Sequence, residues 1–304
     1  MSLTVGLGYV PNVQFAQFYL AQRAGYYRDA GLTVTFENKI DPDLITLVGQ
    51  GSLDIGIADG TSVIPAVSQG IPIKYVATIY ALFPNVVYAK AKSGIKTVAD
   101  LKGRKLGTPG KYGSSWIMLQ AMLASAGLKP SDLDIQLYPD FGQGTALAQG
   151  AVDAATGFVN NEPVQLEESG TQGTVLTVDK AVPLPGNGLI AGTRTITTKP
   201  AALKAFVAAT LRAMKEIRSD PQKGLDAAIA AVPDLGADRV TQLAVLKATI
   251  ATWDDAYTTA HGEGSIDRAA WTATLTFMAG LPDSPISGTP PTVDQLVDES
   301  LLPG

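Results

Sequence analysis

Short apolar runs alternate with amphipathic stretches over the first two thirds of the chain. The runs are rich in Val, Ile and Leu, and the stretches between them carry apolar residues at helical spacing. The runs predict strands at 3–7, 32–36, 54–58, 74–79, 86–89, 105–107, 135–138, 154–157 and 189–192. The stretches predict helices at 13–30, 43–50, 61–69, 98–101, 114–126, 145–149 and 163–168. Such alternation predicts an α/β fold with doubly wound parallel sheets covered by helices on both faces.

The pattern changes near residue 200, where the chain becomes rich in alanine. Helical spacing continues there without intervening strand-like runs. The predicted helices are 200–219, 222–231, 238–252 and 267–279, with a short one at 293–299 in a proline-rich tail. This part is expected to form a helical C-terminal extension.

One motif occurs twice. Gln-Gly-Ser-Leu-Asp at 50–54 is followed 99 residues later by Gln-Gly-Ala-Val-Asp at 149–153. In both places a predicted helix ends at glycine and aspartate precedes a buried strand. The repetition indicates two lobes built on one plan. Clefts between domains are common sites for small ligands.

Composition narrows the possible chemistry. The 304 residues suffice for two domains, and 46% are hydrophobic while 17% are charged. The net charge of −5 and the lack of a basic cluster argue against a nucleic-acid partner. The chain has no cysteine and one histidine, His261, which we interpret as a solvated loop residue. Thiolate chemistry is therefore excluded, and we expect neither a metal nor a cofactor.

Six loops at the predicted carboxyl ends of strands are candidates for ligand contact, because ligands of doubly wound sheets bind there. They are 9–15, 58–62, 80–85, 109–116, 140–143 and 158–163. The candidate contacts are Tyr9, Asn12, Phe15, Asp59, Thr61, Tyr80, Phe83, Lys111, Tyr112, Ser114, Ser115, Trp116, Asn160 and Glu162. Several also have a structural interpretation: Asn12 as a helix cap, Phe15 and Trp116 as core, and Glu162 as the start of a helix.

The loop 109–116 leaves two ligand classes open. Its small residues open a helix, whose free N–H groups could hold an anion together with Lys111. Alternatively, Tyr112 or Trp116 could stack on a flat ring. Taken together, the six loops offer aromatic rings and amides but few fixed charges, which favours a flat, polar, near-neutral heterocycle. Neither a P-loop nor a Gly-x-Gly-x-x-Gly motif is present, so nucleotide hydrolysis is not supported.

Several ordered motifs resemble the type II periplasmic binding proteins, in the branch of sulfonate, taurine and NMT1/THI5-like binders. They are Gly-Tyr-Val-Pro-Asn-Val-Gln-Phe-Ala at 8–16, Ala-Gly-Tyr-Tyr-Arg-Asp-Ala-Gly-Leu at 24–32, Gly-Ser-Leu-Asp-Ile-Gly at 51–56, the run 93–107 and Gly-Ser-Ser at 113–115. The resemblance implies a discontinuous lobe 1 (1–88 plus 190–304) and an inserted lobe 2 (89–189). It implies a two-strand hinge near 88–90 and 188–192.

The resemblance also implies a function: an extracytoplasmic component of an ABC importer, monomeric, that delivers a small molecule to a membrane permease. We expect it in the periplasm or lipid-anchored at the outer face of the membrane, with its export signal removed from this sequence. Pro-Asn at 11–12 is most similar to pyrimidine and riboflavin binders. A thiamine-precursor pyrimidine is therefore ranked first, with riboflavin and a sulfonate, taurine or nitrate-type anion as alternatives.

Two other functions are compatible with parts of the sequence. A hydrolase could use Asp59 and Glu162 as a carboxylate pair if both faced one cleft. Fungal pyrimidine synthases share the fold but carry a cysteine-rich motif, which is absent here. A regulator's ligand-binding domain would normally be attached to a DNA-binding or signalling segment, and none is visible. We therefore expect a binding protein and not an enzyme.

Overall fold

Two five-stranded sheets form the framework of the protein. A computed structural model describes residues 1–39, 43–178, 184–281 and 283–303. The strands are β1 Ser2–Leu7, β2 Thr33–Asn38, β3 Ile55–Asp59, β4 Ile73–Thr78, β5 Asn85–Lys90, β6 Lys105–Thr108, β7 Asp134–Leu137, β8 Ala154–Phe158, β9 Gly173–Thr177 and β10 Asn187–Gly192. The first sheet has the order β2-β1-β3-β10-β4 and the second the order β7-β6-β8-β5-β9.

The two sheets follow the same plan, which confirms the predicted fold class. In each, three strands run parallel: β2-β1-β3 in the first and β7-β6-β8 in the second. The fourth strand runs antiparallel to both of its neighbours. The sheets are therefore mixed, because that strand, β10 or β5, is the first one after the chain has crossed from the other sheet.

The repeated motif has the same structural role in both lobes. The Asp54 carboxylate accepts a hydrogen bond from Thr4 N at 2.9 Å, and Asp54 N donates to Thr4 O at 2.8 Å. The Asp153 carboxylate accepts from Lys105 N at 3.0 Å, and Asp153 N donates to Lys105 O at 2.9 Å. Each aspartate thus joins the middle strand of three parallel strands, β1 or β6, to the strand that follows the motif, so the repetition in sequence is also one in structure.

The helices cover both sheets. They are α1 Ala16–Arg23, α2 Tyr26–Asp29, α3 Asp43–Gln50, α4 Gly60–Ser68, α5 Gly113–Ser125, α6 Gln143–Gln149, α7 Glu162–Glu168, α8 Thr193–Thr198, α9 Pro200–Ser219, α10 Pro221–Ala231, α11 Arg239–Ala251, α12 Ala256–His261, α13 Arg268–Ala279 and α14 Val293–Leu296. Short 3₁₀ turns add 13–15, 91–93, 98–101, 130–132, 233–238 and 299–301. No helix within the described residues is long and apolar enough to cross a membrane.

Some predicted elements differ from the observed ones. The single helix predicted at 13–30 is broken into a 3₁₀ turn, α1 and α2, because Gly25 adopts a φ of +79° between α1 and α2. The strand β9 and the helices α8 and α12 were not predicted. β9 is partly exposed, and its Gly-Thr-Val-Leu-Thr sequence lacks a continuous apolar run.

The chain crosses between the sheets twice. It leaves the first sheet after Thr78 and enters the second at Asn85, and it returns between Thr177 and Asn187. The lobe boundary expected at 88/89 would divide β5, which pairs along its length with β8 and β9 of the second sheet. That strand follows the crossing instead of forming it, so we propose that the first connection lies at residues 79–84.

The C-terminal helices complete the core of the first lobe. Helices α9, α10 and α11 pack against the N-terminal helical segment. The ring of Phe206 stacks on Tyr27 and on Phe18 with centroid distances of 4.9 and 6.2 Å. The hydroxyl groups of Tyr27 and Thr210 are 2.8 Å apart, which satisfies the polar end of the buried tyrosine. The first lobe thereby anchors one wall of the cleft described next.

Candidate ligand-binding site between the two lobes

A cavity of about 110 Å³ lies between the lobes and is lined from both sides. It lies beyond the carboxyl ends of β1, β3, β6 and β8, where doubly wound sheets bind ligands. Its lining residues are Gly8, Tyr9, Gln14, Phe15, Ile57, Ala58, Asp59, Tyr80, Pro109, Tyr112, Gly113, Ser114, Ser115, Phe141, Gln143, Gly157, Phe158, Asn161, Glu162 and Asn187.

Aromatic rings form much of the wall. The six rings belong to Tyr9, Phe15, Tyr80, Tyr112, Phe141 and Phe158. Tyr9 of the first lobe meets Phe141 of the second edge-to-face, with centroids 4.9 Å apart. Phe141 has a φ of +61°, which is unfavourable for a residue with a side chain. The surrounding loop holds this strained backbone and thereby keeps the ring at the cavity.

Asp59 is one of two acidic residues that line the cavity. It ends β3, and its Oδ2 accepts a hydrogen bond of 2.5 Å from Ser114 Oγ of the opposite lobe. Its Oδ1 is buried without a hydrogen-bond partner. Burial raises the pKa of Asp59 to about 6, although the Ser114 and Asn187 side chains oppose that shift. The carboxylate is therefore ionised at neutral pH but incompletely satisfied.

The beginning of α5 is occupied by polar groups of the protein itself. Asn85 Nδ2 donates to the hydroxyl oxygens of Ser114 and Ser115 at 3.0 and 2.9 Å. Ser114 in turn donates to Asp59. A carboxylate of the first lobe thus lies at the helix N-terminus, where an anionic ligand would otherwise be favoured.

Glu162 is the second carboxylate at the cavity. It begins α7, and its Oε2 accepts a hydrogen bond from Phe158 N at 2.9 Å. Burial raises the pKa of Glu162, while this backbone hydrogen bond lowers it. A Cβ at Gly157 would lie 2.9 Å from that oxygen, so glycine is needed there for the carboxylate to approach the strand. The pKa of Tyr9 is raised mainly by the burial of its own hydroxyl group, and the negative charge of Glu162 raises it further.

The geometry agrees with comparisons to known proteins. The family model for NMT1/THI5-like proteins matches residues 12–224, which is more than half of the chain. The chain belongs to the NMT1/THI5-like family. The riboflavin-binding protein RibY of Chloroflexus aurantiacus is 32% identical over 99% of this chain and 86% of its own length. The 4-amino-5-hydroxymethyl-2-methylpyrimidine phosphate synthase of Legionella pneumophila is 23% identical over 77% of this chain and 74% of its own.

Solved structures of the same fold support the two-lobed architecture. The alkanesulfonate-binding protein SsuA of Xanthomonas axonopodis, bound to MOPS, superposes with a TM-score of 0.72 at 18% identity. That alignment covers 99% of this chain and 97% of SsuA. At this identity the similarity shows the periplasmic-binding-protein fold and no more. The NMT1/THI5-like chain therefore shares its framework with proteins that bind different ligands.

Eight of the fourteen predicted contacts line the cavity of this NMT1/THI5-like protein. They are Tyr9, Phe15, Asp59, Tyr80, Tyr112, Ser114, Ser115 and Glu162. The loops containing them converge because the carboxyl ends of parallel strands meet at one edge of each sheet. Their contact with a ligand remains a prediction.

The other six predicted contacts are not among the lining residues. Asn12 Oδ1 accepts from Gln14 N at 3.0 Å and caps the following turn. Asn160 Nδ2 donates to Thr249 Oγ1 at 2.9 Å and so joins the lobes. The remaining four are Thr61, which is buried in α4; Phe83 and Trp116, which pack against the second lobe's core; and Lys111, whose ammonium lies over the Trp116 ring.

Other lining residues of the NMT1/THI5-like protein are not among the contacts predicted from the sequence. The most informative are Gln14, Gln143 and Asn187. Gln143 lies in one of the six candidate loops, and Gln14 lies beside Phe15 in another. Asn187 was missed because it occupies the amino end of β10, and that strand runs antiparallel to its neighbours. The rule for carboxyl ends does not select such a position.

The charged side chains among the described residues of the cavity wall are acidic. Among the described residues that line it, two are acids and none is lysine, arginine or histidine. The described part of the chain also lacks a cluster of three histidine or acidic side chains suited to a metal ion. What the cavity offers is ring faces, amides, hydroxyl groups and carboxylates. This set can bind a flat molecule that carries hydrogen-bond donors.

Proposed function

We propose that this protein is the solute-binding component of an ABC importer and that it binds a flat, uncharged nitrogen heterocycle between its lobes. The observation that carries the proposal is a cavity lined by six aromatic rings and two carboxylates without a cationic side chain among its described residues. Rings favour a flat partner, and buried acceptors favour a partner with N–H or O–H groups.

Riboflavin is the first candidate ligand. The riboflavin-binding relative RibY aligns over nearly the whole chain, whereas the Legionella pyrimidine synthase covers 77% of it at lower identity. The three-ring isoalloxazine system of riboflavin suits the aromatic wall, and its ribityl chain supplies hydroxyl donors. This changes the order expected from the sequence, in which a thiamine-precursor pyrimidine ranked first.

An aminopyrimidine is the second candidate, because of the cavity's size. Its volume of about 110 Å³ is below the range of about 300–1,000 Å³ that is usual for ligand clefts. A single ring needs less opening of the lobes than a flavin. The exposed fraction of the Tyr112 side chain, 42%, indicates that the cavity communicates with solvent at this ring. Opening there enlarges the cavity for a flavin.

A sulfonate or another small anion is disfavoured. Anions are best held by arginine forks or free helix N-termini. The cavity lacks a described arginine, and the N-terminus of α5 already faces Asp59 through Ser114. An anion would therefore be placed beside two carboxylates in a partly buried site, where like charges repel.

The protein is proposed to act by binding and not by catalysis. The two acids that a hydrolase would need are both engaged, Asp59 with Ser114 and Glu162 with the backbone of Phe158. The chain has no cysteine, so it lacks the cysteine-rich motif of the fungal pyrimidine synthases. The expected location is extracytoplasmic, with a membrane permease as partner.

Closure of the two lobes is the proposed mechanism. Ligand would bind one lobe first and then stabilise the closed form by touching both. Three contacts already join the lobes across the cleft: Ser114 with Asp59, Asn160 with Thr249 and Phe141 with Tyr9. A ligand that reinforces these contacts favours the form that a permease recognises.

A ligand screen tests the proposed function. Purified protein is titrated with riboflavin, 4-amino-5-hydroxymethyl-2-methylpyrimidine, taurine and an alkanesulfonate, and melting temperature and flavin fluorescence are followed. A ligand at 100 times its Kd should add about 2.7 kcal/mol of stability. We expect a one-to-one complex with quenched flavin fluorescence, because the ring stacks on aromatic side chains. Stabilisation by sulfonates alone would contradict the proposal.

A further inference from the structure

Three buried oxygen atoms at the cavity have no hydrogen-bond partner. They are Asp59 Oδ1, Gln143 Oε1 and Asn187 Oδ1, and all three residues line the cavity. Gln143 is only 1% exposed. Burying such an atom without a partner costs about 1–3 kcal/mol, so three unpartnered oxygens in residues that line one cavity indicate a missing partner. Asp59 and Asn187 come from the first lobe and Gln143 from the second.

Neighbouring groups fix these atoms as acceptors. Gln143 Nε2 donates to Thr156 O at 3.3 Å, which leaves the amide oxygen free. Asn187 lies opposite Asp59 in the pairing of β10 with β3, and its side chain lowers the pKa of Asp59. Asp59 Oδ2 is occupied by Ser114. The three free atoms are therefore oxygens that accept and cannot donate.

We propose that Asp59, Gln143 and Asn187 form an acceptor subsite that takes hydroxyl or amino groups of the ligand and excludes a phosphate ester at the same position. The proposal rests on the proposed function and goes beyond it, because it states which chemical form of the ligand is bound. For a flavin, the subsite would hold the ribityl hydroxyl groups and reject the phosphorylated form.

Exclusion of phosphate follows from the same atoms. A phosphate monoester at neutral pH carries up to two negative charges and offers mainly acceptor oxygens, so it cannot pair with acceptors. Asp59 adds charge repulsion, and no lysine or arginine among the described lining residues offsets it. A site built to bond hydroxyl groups rejects a ligand that leaves its polar groups unpaired.

Paired ligands test the subsite. The Kd values of riboflavin, riboflavin 5′-phosphate and lumichrome, which lacks the ribityl chain, are measured by fluorescence quenching. The same comparison is made between 4-amino-5-hydroxymethyl-2-methylpyrimidine and its phosphate. We expect each alcohol to bind about 100-fold more tightly than its phosphate, and riboflavin about 10-fold or more better than lumichrome.

Variants that remove one negative charge test which residue causes the preference for riboflavin over its phosphate. Asp59→Asn is expected to lower the preference for riboflavin over its phosphate by about 10-fold, because the repulsion is removed while a polar side chain remains. Glu167→Gln on the exposed side of α7 removes the same charge outside the cavity and should leave the preference unchanged. Circular dichroism and melting curves verify that both variants are folded.

The outcomes separate the two proposals. Equal affinity for alcohol and phosphate would overturn the subsite while leaving the proposed function intact. Unchanged preference in Asp59→Asn would overturn the role of Asp59. Failure of both alcohols to bind would overturn the proposed function, and the subsite with it.

Discussion

Asparagine at position 59 is expected to make the ligand-free protein more stable at neutral pH. The wild-type carboxylate is ionised and buried there, with Oδ1 unpartnered. Its pKa is raised from 3.8 to about 6, chiefly by burial. This difference corresponds to about 3 kcal/mol as an upper estimate, and Asp59→Asn should recover part of it, about 1–2 kcal/mol.

The sign of the pH dependence follows from the raised pKa. The folded protein binds the Asp59 proton more tightly than the unfolded chain does. The stability that this proton provides is therefore present below about pH 4, is lost as pH rises towards about 6, and stays absent above it. Asp59→Asn should remove this part of the pH dependence, while the part due to Glu162, whose pKa is also raised, should remain.

Urea denaturation between pH 4 and 8 measures this effect. The difference in free energy of unfolding between Asp59→Asn and wild type should grow from about pH 4 to pH 6 and then level off. Glu167→Gln is the control for the change in net charge. A variant that is less stable than wild type at pH 7.5 would show that the carboxylate stabilises the fold, contrary to this account.

Alanine at position 186 is expected to destabilise the protein by about 2–3 kcal/mol, because overpacking against backbone cannot relax easily. Gly186 lies in the returning connection between the lobes, and a Cβ there would be 2.3 Å from Tyr80 O and 3.0 Å from Leu82 O. Gly186 O also accepts a hydrogen bond from Gly60 N at 3.0 Å. The two connections would be forced apart.

The same substitution should weaken ligand binding. Tyr80 lines the cavity, and its hydroxyl group donates to Gln14 Oε1 at 3.4 Å, so movement of the first connection shifts the aromatic wall. Thermal unfolding and riboflavin titration of Gly186→Ala measure both effects. Gly280→Ala is the control, because its Cβ would lie 3.5 Å from the nearest atom and its φ is −85°. Equal behaviour of the two variants would contradict the close approach at the crossing.

The strands β1, β3 and β10 of the first lobe could be predicted closely because most of their residues are apolar or glycine and buried between turns. Asp59 at the end of one such strand was identified for that reason. The break of the predicted helix 13–30 at Gly25 was missed because both halves keep helical spacing, and only the positive φ interrupts them. β9 was missed because a partly exposed strand lacks a strong apolar pattern.

The residues of the candidate site that directly follow parallel strands could be predicted from the sequence. Tyr9, Asp59 and Glu162 lie in loops at carboxyl ends of parallel strands and reach the cavity. Asn187 lies at the beginning of an antiparallel strand, whose direction depends on the crossing between lobes. Asn160 was predicted as a contact but pairs with Thr249 of α11, a partner 89 residues away that spacing alone does not reveal.

Binding of riboflavin to a variant with a blocked cavity tests whether the ligand lies between the lobes. Ser115→Trp fills the cavity from α5, whereas Ser125→Trp adds the same side chain at the exposed end of the same helix. With unchanged melting temperatures, we predict that Ser125→Trp binds riboflavin like wild type and that Ser115→Trp loses about 100-fold in affinity or more. Undiminished one-to-one binding by Ser115→Trp would place the ligand elsewhere and contradict the account.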